Sequence, residues 1–330
     1  MKILIVAKPW AGGLSAYFFA AMKEMFPGSV RCISTRPVAI ADRLEFRRDR
    51  KAWWERRRRD IETADCDIRF FIGARPEFRG VKARHGDVLY QTDDVGMSAE
   101  DLEIFSRIFV SDRGYLPELA AKLSQPSKLA GVLAFACHPP IHYRIAGKRR
   151  RGACFIANRD PKRDPYVARL LENGPRTDFI GNYFGAHPLF WRRPLAFRPA
   201  VSYTRLAEVY ARYRASLNIH AKVVREGTNL RTFEAAACGV AQVVERRPGI
   251  EEYFEPGKEI VLVDDPDEMC ARLGESLADP VSAAKMAERA RRRALAEHTY
   301  YHRVATALAD LVPRSELKAA LRAIIPASSE

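Results

Sequence analysis

Short β-rich apolar runs alternate along this chain with longer helical stretches. The first run, KILIVA at 2–7, is followed by Gly12-Gly13 and a helical stretch over 14–26. Strand, glycine turn and helix in that order open a Rossmann-like unit. The runs DIRFFIG (67–73), DVLYQT (87–92), RIFVS (107–111) and KLAGVLAF (128–135) read as further buried strands, with helical stretches at 98–106 and 114–124. Strands alternating with helices predict a parallel sheet with helices on both faces.

The pattern breaks at 136–152, where ACHPPIHYRIAGKRRRG holds paired prolines, two glycines and a Lys-Arg-Arg-Arg run. It reads as a domain linker with few core residues. Alternation restarts with ACFIAN (153–158), a helix at 165–174 and a strand at 177–181. A helix at 203–214, a strand at 215–221, a helix at 229–239 and strands at 240–244 and 259–263 follow. Helices over 266–278, 282–297 and 299–312 close the series. The expectation is an α/β chain of two Rossmann-like domains: 1–135, a linker at 136–152, a second domain over 153–312 and a tail helix over 313–330. The two are expected to meet at a cleft, with the C-terminal helices packing back toward the first domain.

A chain of 330 residues holds two such domains without disulfide staples. Its six cysteines form no C-x-x-C pair, so free thiols and no structural zinc are expected. The chain has no window near the ~18 apolar residues of a membrane helix, which predicts a cytoplasmic protein, at most peripheral to a membrane. The net charge of +14 points to an acidic partner: nucleic acid, anionic lipid or a phosphorylated substrate. However, 42 of the 55 basic residues are arginine, and an Arg- and Ala-rich bias is also what a GC-rich genome writes. Aromatic stacking platforms for nucleic acid are missing, and no G-x-G-x-x-G follows the first strand.

The most informative window is NIHAKVVREGTNLRTFEAAACG at 218–239. A strand ends, a loop carries Lys222, Arg225, Glu226, Gly227 and Thr228, and a helix begins at Asn229. Free N–H groups and the positive helix end suit an anion such as a diphosphate. Lys222, Arg225 and Arg231 add positive charge. Glu234 lies five residues after Asn229 and can accept two hydrogen bonds from a vicinal diol. Its neighbours are small or apolar, and an acid in such a run needs a partner.

The stretch from NLRTFEAAACG through RPGIEEYFEPGKEIVLVDD to EHTYYHRV resembles the C-terminal domain of CgeB-like (spore-maturation) glycosyltransferases. These are related to glycosyltransferase family 4 and have the GT-B fold of two Rossmann-like domains facing across a cleft. The likeness is clear over 218–304, weaker over 151–217, and faint before that. It implies a nucleotide-sugar donor held by the second domain. Glu234 would hold the ribose hydroxyls, and Thr228, Asn229 and Leu230 the diphosphate. Glu226 would contact the transferred sugar. Arg159 and Lys162 would neutralise the leaving phosphate without metal, and Gly181-Asn182 closes the strand where the nucleobase sits. No cofactor is expected.

The first domain is expected to bind the acceptor, a sugar, a lipid-linked molecule or a protein. Gly12 and Gly13 would let the first loop approach the donor, or form a plain tight turn. Asp93 and Asp94 follow a strand, where one could activate the acceptor hydroxyl or cap the next helix. Many CgeB-like proteins place a histidine in this region, and this chain does not. His298 and His302 stand at a metal-like spacing but read as structural. KAWWERRRRDI (51–61) is either a surface for an anionic membrane or acidic acceptor, or a solvated helix face. A GT-B-shaped nucleotide-sugar epimerase and a basic nucleic-acid-binding protein are the competing readings.

Overall fold

The computed structural model describes residues 1–8, 13–92, 97–147, 149, 151–182 and 187–325. The chain divides into two compact units, Met1–Ala134 with Tyr300–Glu330, and Phe135–Thr299.

The first unit runs β1 (Ile3–Ala7), α1 (Leu14–Met25), β2 (Val30–Ser34), α2 (Ile40–Arg48), α3 (Arg50–Thr63), β3 (Ile68–Ile72), β4 (Asp87–Gln91), α4 (Ala99–Leu102), β5 (Arg107–Val110), α5 (Leu116–Lys122) and β6 (Leu129–Val132). Its parallel sheet has the order β2-β1-β3-β4-β5-β6. The apolar pattern missed β2, because VRCIS lies at the sheet edge and none of its residues is fully buried. β1 and β4 are buried along their whole length, which is why they read as unbroken runs.

The basic helix 51–61 falls within α3 and departs from the surface expectation. Trp53 and Trp54 are buried, packing edge-on against each other at 5.0 Å, with Phe46 and Phe78 beyond them. Arg57 lies over the Trp53 ring at 4.9 Å and binds Asp42 at 2.8 Å. The indoles are core, so Lys51, Glu55 and the arginines are what the helix presents outside it.

The second unit runs β7 (Arg151–Ile156), α6 (Asp164–Asn173), β8 (Thr177–Ile180), β9 (Phe197–Arg198), α7 (Leu206–Tyr210), β10 (Tyr213–Asn218), α8 (Leu230–Ala237), β11 (Ala241–Glu245), β12 (Val261–Val263), α9 (Pro266–Ala278) and α10 (Pro280–Glu297). Its parallel sheet has the order β12-β11-β10-β7-β8-β9. Chain order reverses between β7 and β10, which opens a crevice beyond their C-terminal ends.

The segment read as a linker is largely structured. Ala136, Cys137, His138 and His142 are buried, and Cys137 N donates to His298 O at 2.9 Å. Arg149 donates to the carbonyls of Tyr210 and Tyr213, and to those of Cys238 and Gly239, acceptors at the end of α8 that the helix leaves open. The last helices, α11 (Tyr300–Ala307) and α12 (Arg314–Ile324), belong to the first unit. The Tyr300 ring packs against Tyr17 and Phe18 at 5.2 and 5.1 Å, so the boundary expected at 312 falls at 299.

All six cysteines are free. His298 Nε2 meets the Tyr253 carbonyl at 3.0 Å inside a cluster with Phe233 and Phe254. Among the described residues no group of three His, Cys, Asp or Glu side chains is placed to hold a metal ion. Among them also, no helix is long and apolar enough to cross a membrane.

Candidate functional site

The loops after β7 and β10 converge at the second unit's switch point, over a buried polar network. Asn218 at the end of β10 donates to Asn229 Oδ1 at 3.0 Å and to Thr232 Oγ1 at 2.7 Å. Asn229 returns a bond to Asn218 Oδ1 at 2.8 Å. Its Oδ1 also accepts from Arg231 N at 2.9 Å, capping α8. His220 Nε2 pairs with Thr228 Oγ1 at 2.9 Å, and Thr228 with Thr232 at 2.5 Å. From the other side Glu245, ending β11, accepts from His220 N at 2.8 Å, from Lys162 Nζ at 2.6 and 2.7 Å, and from Arg247 at 3.0 Å. Burial raises the Glu245 pKa, but the bonds from His220 and Lys162 outweigh it and hold it at about 2. Burial pushes His220 down, against the pull of Glu245.

Above this network the backbone of 228–230 leads into α8, the positive end of its dipole. The loop is pinned from outside by the turn at 247–249. Gly249 N donates to Glu226 O at 2.6 Å, and a Cβ at 249 would lie 2.7 Å from that oxygen. Lys222 and Arg225 are exposed on the loop, and Glu226 is half-buried in it. Arg159 N donates to Asn182 O at 3.4 Å, joining the ends of β7 and β8, and Gly181 N donates to Arg198 O at 3.2 Å, joining β8 to β9. The Arg159 guanidinium binds Asp164 at 3.0 Å. Lys162 differs from the expectation of a loop cation: its ammonium is taken by Glu245 and the His220 carbonyl at 3.1 Å. Its charge therefore acts from beneath the loop.

Glu234 is fully buried in α8. The partner its apolar surroundings demand is Arg231, whose guanidinium binds Oε2 and lies over the Tyr203 ring at 4.8 Å. His142 Nε2 stands 3.5 Å from Oε1. His142 Nδ1 accepts from His138 N at 2.9 Å, so the ring proton is on Nε2, facing Glu234. Burial holds His142 at about 3, and raises Glu234 to about 7 against the pull of Arg231. Gly13 belongs to the first unit. It precedes α1 in extended conformation, and its carbonyl accepts from Tyr17 N at 3.1 Å. Gly12, Asp93 and Asp94 lie outside the described residues.

Residues 163–309 match the family model described as glycosyl transferase-like. Among solved structures, HepE of Anabaena in complex with UDP superposes with a TM-score of 0.65 at 12% identity, over 98% of this chain and 100% of that one. Sucrose-phosphate synthase from Thermosynechococcus elongatus gives 0.65 at 13% identity, over 98% and 100%. T4 phage BGT in complex with its UDP-glucose substrate gives 0.62 at 15% identity, over 99% and 100%. This is the GT-B fold. No curated protein sequence matches the chain.

Sequence reasoning singled out the start of α8 but not the polar network beneath it. Asn218, His220 and Glu245 went unremarked. Their signal was present: each is a polar residue at or just past the end of an apolar strand run, in SLNIH and QVVE. In a parallel GT-B sheet, that is the edge where ligands sit.

Proposed function

We propose that this chain is a CgeB-like glycosyltransferase that moves a sugar from a nucleotide-sugar to an acceptor sugar, lipid-linked molecule or protein. The observation that carries the reading is the buried network of Asn218, His220, Thr228, Asn229 and Glu245, which fixes the positive end of α8 at the switch point. The N–H groups of 228–230 receive the diphosphate, and Arg159, Lys222 and Arg225 neutralise charge as it leaves. These cations take the part a metal plays elsewhere, so the reaction is metal-independent. Glu234 accepts the ribose diol once Arg231 turns away from it, and Glu226 contacts the sugar. The C1–phosphate oxygen bond breaks, a bond to the acceptor oxygen forms with retention, and the acceptor proton passes to Asp93, Asp94 or Glu226. The enzyme works in the cytoplasm, with candidate peripheral contact at the inner membrane face through the arginines of α3.

UDP is the first nucleotide to test, since HepE and BGT are seen with UDP or UDP-glucose. Two charge-assisted bonds of on the order of 1.5–3 kcal/mol each are lost in Glu234→Ala, so nucleotide affinity by calorimetry falls at least about tenfold. Glu226→Ala lowers turnover and leaves free nucleotide binding intact. Sugar release persists in EDTA. Unchanged nucleotide affinity in a well-folded Glu234→Ala protein overturns the donor site, and loss of activity in EDTA with rescue by Mg²⁺ overturns the metal-free mechanism.

A further inference from the structure

Helix α2 presents its faces in reverse: its acids meet the protein and its aliphatic side chains meet solvent. None of its residues is fully buried. One face packs on α3, where Phe46 meets the Trp53 ring edge-on at 5.2 Å. On that face Asp42 accepts from Trp53 Nε1 and Arg56 at 3.0 Å and from Arg57 at 2.8 Å. Glu45 binds Arg56 at 2.6 Å. Asp42 and Glu45 are the two acids of α2, so both are spent on α3.

The other face carries Ile40, Arg43, Leu44, Arg47 and Arg48, at the i, i+3, i+4, i+7, i+8 spacing that keeps side chains on one side of a helix. Ile40 is 77% exposed and Leu44 60%, and Val38, just ahead of the helix, is 56% exposed. Val38 N donates to Asp42 Oδ2 at 3.4 Å, which ties it to the first turn. Arg43, Arg47 and Arg48 are exposed, and their guanidinium groups have no partner among the described residues. A surface helix ordinarily buries its aliphatic stripe and shows its charges of both signs to water.

Aliphatic side chains bordered by unpaired cations complement the boundary of an anionic bilayer, where acyl carbon lies beneath phosphate. A second copy of this helix would bring arginine against arginine. A polynucleotide would satisfy the arginines and leave Ile40 and Leu44 in water. Helix α3 offers no such stripe: its indoles are core, Arg56 and Arg57 are held by α2, and Arg58 donates to the Arg79 carbonyl at 3.0 Å.

We propose that α2 anchors this chain on an anionic lipid bilayer, with Val38, Ile40 and Leu44 entering the interface and Arg43, Arg47 and Arg48 meeting lipid phosphates. Such docking rests on the membrane contact offered above, to which α2 adds the apolar anchor. It does not depend on sugar transfer.

The full chain is mixed with phosphatidylcholine vesicles, with and without phosphatidylserine, and the bound fraction is read by sedimentation. The wild type binds the anionic vesicles, more weakly as salt rises, and leaves the neutral ones largely unbound. Ile40→Asp/Leu44→Asp lowers the partition constant at least about tenfold. Arg43→Gln/Arg47→Gln/Arg48→Gln lowers it by a similar factor and flattens the salt dependence. Neither variant changes the melting temperature, because the replaced side chains are exposed. Binding equal to the wild type in both variants overturns the α2 anchor while membrane contact stands, and loss in Lys51→Gln/Arg59→Gln alone assigns that contact to α3. A wild type that ignores anionic vesicles overturns both. A dimer that Ile40→Asp/Leu44→Asp dissociates, with no vesicle binding, gives the face to a second copy and overturns the lipid reading.

Discussion

Glu234 shows how one residue is set by its surroundings. The run FEAAAC announced a buried acid, and the structure supplies Arg231 one helical turn earlier and His142 from the 136–152 segment. The first was legible at the i,i+3 spacing. The second was not, because ninety residues of chain separate the two and only the fold joins them. Burial raises Glu234 from 4.5 to about 7, so the folded state holds its proton more tightly than the unfolded chain does. The resulting stabilisation is complete below pH ~4.5 and is lost as pH rises through 7, on the order of 3 kcal/mol in all. Glu234→Gln, neutral at every pH, should therefore flatten the fall in melting temperature between pH 5 and 8. Melting curves that keep the wild-type slope would reject this assignment.

At the scale of elements, the βα turn before α8 depends on a contact that no local pattern displays. The Arg247-Pro248-Gly249 turn stands out in the sequence, but not the reason for its glycine. Gly249 has ordinary φ; what forbids a side chain is the Glu226 carbonyl, 2.7 Å from where Cβ would be. Backbone meets backbone there, so relief requires the 226–227 loop to move. Gly249→Ala should cost about 1–3 kcal/mol by the usual toll of overpacking, measured as a shift in urea midpoint. It should also weaken nucleotide binding, whereas Gly274→Ala, whose Cβ meets only a Pro175 atom at 3.9 Å, should leave nucleotide binding unchanged. Equal nucleotide affinity in the two variants would show that the 247–249 turn does not set the loop. The same distinction explains the missed strands. β2 and β9 are edge strands, one partly exposed and the other two residues long, and neither produces an apolar run.

For the whole molecule, the chain ends in the unit where it began, its last helices packed on the first unit as the sequence reading expected. Tyr300, Tyr301, Val304, Ala307 and Leu308 are buried, and Arg303 binds the Ala134 carbonyl at 2.7 Å. Ending the chain after Thr299 uncovers Tyr17 and Phe18, and each large apolar side chain is worth roughly 1.5–3 kcal/mol. Calorimetry of such a truncated protein should show the first unit's transition lost or lowered by many degrees. An unchanged melting profile would mean that the return of the chain is incidental. By itself the sequence determined the alternation of buried strands and helices, the break near 136, and the start of α8 at its Asn229 cap, because each is written in residues close together along the chain. Tertiary structure alone decided the strand order that creates the two switch points, the Glu245–Lys162–His220 floor, and Tyr300 as the point where the chain rejoins the first unit. Those depend on which distant segments share a buried face, and the free energy of that choice resides in contacts between them, not in any single stretch.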